Sequence, residues 1–406
     1  MATWMTRSPV LDVATQARTQ GIYPYFKDVN GRPGPSQVVV DGTRAVDFAS
    51  SDYLGLATDP RVTRAAADGA AQWGTSCSGS QCIAGTFSVH RELEEELADF
   101  LRRDAVLLTA TGYQANLALA CLFDQSHLVL ADRHNHASLM DAVRLGRAGL
   151  RSFRHNDTAH AVRLLEEGAT AAGLIPLIVT EGAFSLGGAP APLPLLAAAA
   201  HHRRGALIVD GAHDIGVYGA GGRGMAEHLA CEAEVDVLTG TFSKAIGSVG
   251  GFIAGPHDVI ATLRHLGRAS VYAAALPPPA AAAALAALRI VRSEPERRET
   301  LWRNAEHLHR RLAGGQTLSA GVPTPRATTA AGQAGPVATV PVPSGPEAMH
   351  IWRALLDAGV YAALFLPPST PDGPLLRLSV TASHTTSQIE DLTALVHQVL
   401  SSPTRV

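Results

Sequence analysis

Thr239-Gly-Thr-Phe-Ser-Lys-Ala-Ile-Gly-Ser-Val-Gly-Gly251 holds one lysine, Lys244, in a loop of small residues and glycines. The apolar run Phe252, Ile253, Ala254 follows at once. The stretch supplies no charged partner, and its glycines let backbone approach a ligand closely. A lysine that forms a Schiff base needs such a setting: a lowered pKa and room for a flat partner. A surface lysine on a glycine-rich loop is the plain alternative, and this stretch alone leaves both open.

Working outward, Ala206-Leu-Ile-Val-Asp-Gly-Ala-His213 reads as a short buried strand ending in Asp210, with His213 three residues on. Between Asp210 and Lys244 there is room for one strand-and-connection unit. A carboxylate at the C-terminal end of a strand sits where open α/β sheets bind ligands. In enzymes using pyridoxal 5′-phosphate (PLP), an Asp pairs with the pyridinium nitrogen and lets the ring act as an electron sink. Upstream, the strand Ala105 to Thr109 runs into Thr111-Gly112-Tyr113 and an Ala/Leu-rich helix reaching Leu122. A strand, a small-residue turn and a helix start make an anion site, because free N–H groups and the helix dipole both favour phosphate.

These stretches resemble the α-oxoamine synthases, a fold-type I family of PLP enzymes. Further matching segments are Ser51-Asp-Tyr-Leu-Gly-Leu56, Cys77-Ser-Gly-Ser80 with Gly85-Thr86, and His90-Arg-Glu-Leu-Glu94. Others are Asp132-Arg-His-Asn-His-Ala-Ser138, His155-Asn-Asp157, Glu181-Gly-Ala-Phe-Ser185 and Leu375-Leu-Arg-Leu-Ser379. The resemblance runs from about Phe48 to about His384. It implies that Lys244 carries PLP and that Asp210 pairs with the ring nitrogen. His136 would stack on the ring, His213 would bond its phenolic oxygen, and Ser185 would touch the same region. Thr111, Gly112, Tyr113 and Thr241 would complete the cofactor site. Arg377 would grip the amino-acid carboxylate, as a planar guanidinium binds a carboxylate at two points; Ser51 is the second substrate candidate.

The implied reaction is a decarboxylative condensation of a small amino acid (Gly, Ala or Ser) with an acyl thioester on CoA or an acyl-carrier protein. It would yield an α-amino ketone. A homodimer is the expected assembly. The Lys244 and Cys77 stretches look more like the serine palmitoyltransferase branch than the biotin branch, which favours a hydrophobic acyl chain. A PLP aldolase or decarboxylase without acyl donor is the alternative, and so is a non-catalytic partner subunit; the retained Lys244 argues against the latter.

Several positions depart from the family pattern. Gly211 stands second in the usual Asp-Glu/Asp-Ala-His, and Ser51 replaces the usual Asn. Gln81 follows Gly79-Ser80 where Arg is frequent, and Ala273-Ala274 replace a hydroxyl pair that reaches the partner subunit's phosphate. The residues after Ser185 read Leu-Gly-Gly-Ala, without the usual aspartates.

The 406 residues, with a net charge of −3 and scattered Lys and Arg, give no sign of a nucleic-acid or acidic-membrane partner. The start, Met1-Ala-Thr-Trp-Met-Thr-Arg7, does not read as a signal peptide. Cys77, Cys82, Cys121 and Cys231 lack metal-ligand spacing and read as reduced, so no metal and a cytoplasmic location are expected. The apolar run from Val271 to Val291 is broken by Pro277, Pro278 and Pro279 and reads as a buried helix, not a membrane span. Alternating strands and helices predict a mostly parallel, doubly wound α/β sheet in a large domain, residues 56–292. An N-terminal arm with a hairpin about Asp41-Gly42 would occupy 1–55. A smaller α+β domain would occupy 293–406, with a polar linker over 314–335.

Overall fold

The structure, a computed structural model, describes residues 9–314, 335–367, 369–370 and 373–401. It divides into two compact units: Ser51–Leu301, and Met1–Ser50 together with Trp302–Val406. The stretch 315–334, most of the expected linker, lies outside the described residues.

The first of these units is built on a seven-stranded sheet. Its strands are β1 (Ala105–Thr109), β2 (His127–Asp132), β3 (Gly149–Phe153), β4 (Ile175–Glu181), β5 (Ala206–Asp210), β6 (Val237–Thr241) and β7 (Gly251–Gly255). They lie in the order β1-β7-β6-β5-β4-β2-β3. Neighbours from β6 through β3 are parallel, and β7 alone runs antiparallel, between β1 and β6. The central strands are near-continuous apolar runs, such as Leu207-Ile-Val209 and Leu177-Ile-Val179, because both faces are covered. One face packs on a core of Leu107, Leu119, Val129, Val179, Ile208 and Ile253.

Four of the five parallel strands end in polar residues, Asp132, Glu181, Asp210 and Thr241; β3 ends in Phe153. Register sets Glu181 beside Asp210 and Asp210 beside Thr239. The Ala-rich run is indeed a helix, Pro278–Ser293, against helix Pro60–Trp73. A Cβ on Gly69 would lie 2.9 Å from the Ala282 Cβ, so small residues are what let these helices approach. Among the described residues no helix is long and apolar enough to cross a membrane.

In the other unit, Gln37–Val40 and Thr43–Asp47 form the expected hairpin, with Asp41 at φ 48° and Gly42 at φ 81°. The segment Val29–Gly34, read as irregular arm, pairs with Gln37–Val40. Its burial does not alternate, so it carries no strand signature of its own. The apolar segment from Val360 to Phe365 forms two strands. Val360–Tyr361 joins the hairpin sheet, and Ala363–Phe365 pairs with Leu375–Ser379. At the break the Ala362 carbonyl accepts the indole N–H of the buried Trp352 at 3.0 Å. Trp352→Phe removes that donor and leaves a buried carbonyl unpaired. The expected loss is about 1–3 kcal/mol, read as a lower denaturant midpoint at unchanged fold.

Candidate active site

Six loops and strand ends of the Ser51–Leu301 unit enclose a cavity of about 290 Å³. Its walls include Thr111, Gly112, Tyr113, His136, Asp210, His213, Thr241 and Lys244, eight of the residues expected from sequence. Lys244 follows β6 in a loop whose Gly247 has φ 65° and leaves no space for a side chain against Ala57. Asp210 ends β5 and accepts at both oxygens: Oδ1 from the Ala212 N–H at 2.9 Å, Oδ2 from Asn116 Nδ2 at 2.7 Å. His213 Nδ1 meets the Tyr53 hydroxyl at 2.8 Å, and both side chains are buried.

His136 caps helix Ala137–Leu145; its backbone N–H donates to Glu181 Oε1 at 2.7 Å. Burial pulls its imidazole below the ordinary histidine range, with the Asp210 charge opposing. Tyr113 stands edge-on to His136 and donates its hydroxyl to Asp141. Thr111 caps the helix starting at Gly112 by accepting the Gln114 N–H. A Cβ on Gly112 would lie 2.9 Å from the Thr241 Cβ, so the turn needs glycine there. Thr241 Oγ1 donates to the Gly250 carbonyl at 2.9 Å and lies 2.9 Å from Ser243 Oγ.

Of the remaining candidates, Ser185 donates its backbone N–H to Glu181 Oε2 at 3.0 Å, one step from the cavity wall. Ser51 and Arg377 are not lining residues. Arg377 belongs to the other unit, where it is buried on strand Leu375–Ser379 between Thr339 and Ala363. The sequence reading did not assign Asn116, Ser138, Glu181 or Ser243, all of which line the cavity. Glu181 and Ser138 lie in motifs already singled out and were within reach; Asn116 lies in no such motif.

Two further carboxyls are deeply buried. Burial, then the Asp210 charge, pushes Glu181 up to about 8. Asp214 also rises to about 8; burial is the main cause, and Asp210 adds to it. A Cβ on Gly211 would lie 2.7 Å from Asp214 Oδ1, and one on Gly224 equally close. A side chain at 211 would therefore require Asp214 to move.

Residues 43–395 match the family model described as aminotransferase class I and II. The chain belongs to the aminotransferase class I and II family. Within that family it groups with the α-oxoamine synthases. It is 39% identical to a serine palmitoyltransferase of Caulobacter vibrioides, with 91% of each chain covered. It is 40% identical to an 8-amino-7-oxononanoate synthase of Methylococcus capsulatus, covering 96% of this chain and 97% of that one. Among solved structures, the serine palmitoyltransferase of S. paucimobilis with PLP and myriocin bound superposes with a TM-score of 0.89 at 30% identity. The coverage is 96% of both chains. The fold is thus that of the fold-type I PLP-dependent transferases, and this family member uses PLP.

The residues present fit that cofactor. One amine, one doubly hydrogen-bonded carboxylate and two imidazoles share a wall, and small or hydroxyl-bearing residues line its other end. The raised acids predict a pH effect on stability. With a folded pKa of about 8 against 3.8 for the ordinary carboxyl, Asp214 must keep its proton in the native state while the unfolded chain gives it up. Stability falls as pH rises from about 4 to about 8. Asp214→Asn removes part of this decline, leaving the same-signed share of Glu181. Denaturant midpoints at pH 5 and pH 8 read it, and an unchanged difference between them refutes it.

Proposed function

We propose that this chain condenses a small amino acid (Ala, Ser or Gly) with an acyl thioester, with loss of CO2, to give an α-amino ketone. The observation that carries this reading is the convergence of Lys244, Asp210, His136 and His213 on one cavity. When bound there, PLP supplies an electron sink for the carbanion at the amino acid's Cα.

Each residue then has a task. Lys244 Nζ tethers the cofactor and afterwards takes the Cα proton. Asp210 would pair with the ring nitrogen of a bound PLP, and His136 would stack on the ring. Tyr53 occupies His213 Nδ1, so contact with the phenolic oxygen and polarisation of the thioester carbonyl fall to Nε2. The backbone N–H groups of Gly112 and Tyr113, with the hydroxyls of Thr111 and Ser243 and that of Thr241 once turned from the Gly250 carbonyl, would hold the phosphate. Arg377 docks the substrate carboxylate, with Ser51 as a second substrate contact and Ser185 beside the phenolic oxygen. Ala273 and Ala274 bring no hydroxyl to a partner's phosphate, which leaves phosphate binding in a homodimer to the chain that carries the rest of the site. The donor is a hydrophobic acyl group on CoA or a carrier protein, and the setting is cytoplasmic.

The test is an absorbance titration of PLP-loaded protein with Gly, Ala and Ser, followed by acyl-CoAs of several lengths. One amino acid is expected to shift the cofactor band, and CO2 to appear only once thioester is added. CO2 without thioester overturns the reading in favour of a decarboxylase. Lys244→Ala should lower turnover by a factor on the order of 10²–10⁴, the usual share of a proton-transfer residue. Full activity in that variant refutes the assignment.

A further inference from the structure

We propose that Asn116 is a positioning residue that sets two cofactor contacts together: it fixes the Asp210 carboxylate and, through the Ser138 hydroxyl, decides which nitrogen of His136 carries the proton. This rests on the reading of Asp210 and His136 as PLP partners.

Asn116 sits on helix Gly112–Ala118 and is only 2% exposed. Its Nδ2 lies 2.7 Å from Asp210 Oδ2 and 2.8 Å from Ser138 Oγ; its Oδ1 lies 2.7 Å from Thr239 Oγ1. The amide orientation follows from chemistry. A carboxylate only accepts, so the NH2 end must face Asp210. The Oδ1 end then needs a donor, and the Thr239 hydroxyl is that donor. Strand register puts Thr239 there, directly beside Asp210.

With its two amide protons spent on Asp210 and Ser138, Asn116 fixes the next link. Ser138 Oγ accepts from Asn116, so its own proton goes to the remaining partner, His136 Nδ1, at 2.8 Å. The Ser138 backbone N–H points at the same nitrogen from 3.3 Å. Two donors converge on Nδ1, which therefore carries no proton, and the neutral ring bears it on Nε2. Thr239, Asn116, Ser138 and Asp210 are all buried, so water does not compete for the bonds among these four, while His136 as a whole residue is exposed. The chain of bonds runs from a β6 hydroxyl to both the acid and the imidazole of the site, using residues from four separate segments.

The experiment uses the full chain, with PLP as the probe. Apo protein is titrated with PLP, and the spectrum of the bound cofactor is recorded for wild type, Asn116→Ala, Thr239→Val, Ser138→Ala and Asp210→Ala. Long-range ¹H–¹⁵N spectra of ¹⁵N-histidine-labelled apo protein report the His136 tautomer, assigned with His136→Gln. Losing a hydrogen bond to a charged group should weaken PLP binding about 10- to 100-fold in Asn116→Ala, and shift the cofactor band in the same direction as Asp210→Ala. Thr239→Val should act in the same direction to a smaller degree. It carries the test if Asn116→Ala fails to fold. Ser138→Ala keeps the backbone N–H donor at this position, so it should leave PLP affinity nearer to wild type while lowering the share of the Nε2–H tautomer of His136.

Wild-type affinity and spectrum in folded Asn116→Ala and Thr239→Val, or an unchanged tautomer in Ser138→Ala, overturn the proposal while Asp210→Ala still loses PLP. Wild-type PLP binding and spectrum in Asp210→Ala itself overturn the underlying site reading as well.

Discussion

A carboxylate removed from water has to be answered by donors, and the Asp210 carboxylate is answered twice. One donor is a backbone N–H two residues on, a property of the turn that leaves β5. The other is the side chain of Asn116, which comes from a different helix and is itself held by Thr239 on the adjacent strand. Remove either answer and the Asp210 carboxylate becomes a buried charge that is poorly paired. Much of the wall opposite β5 is arranged to prevent that.

The same low-dielectric setting explains the neighbouring acids. Asp210 has two acidic neighbours, Glu181 and Asp214, and of these three only Asp210 is shown accepting from both a side chain and the backbone. Glu181 and Asp214 meet the combined penalty of burial and the Asp210 charge, and both are pushed toward the protonated form. Glu181 then serves geometry: its two oxygens tie the His136 backbone to the Ser185 backbone. Asp214 fills the space beside Gly211, where the backbone carries no side chain.

Strand direction does the rest of the positioning. Parallel strands bring their C-terminal ends to one edge, so Glu181, Asp210 and the β6 loop with Lys244 emerge side by side. The antiparallel β7 closes the other flank, and its turn from Lys244 needs the positive φ of Gly247. A sheet whose two faces are both buried cannot slip its register without exposing apolar side chains, and that rigidity is inherited by the site.

Much of this was legible along the chain. Apolar runs of strand length alternating with helical stretches carry the parallel sheet, because burial on both faces leaves that signature. Lys244 and Asp210 could be proposed from local chemistry, an amine in a glycine loop and an acid at a strand end, whereas His136 and His213 were proposed from the family resemblance; all four line one cavity. The strand Val29–Gly34 and the break at Ala362 were not readable, since one lacks alternation and the other depends on an indole brought from a distant helix. The partners of Asn116, Ser138, Thr239 and Tyr53 belong to the same class. Each of these four is an ordinary polar residue in sequence, and each acquires its task only when register and helix packing bring it within 3 Å of a partner far along the chain. Sequence alone determined which chemical groups this protein possesses and the layered fold that collects them. Tertiary structure decided which way each hydrogen bond points, because donors and acceptors are matched across space.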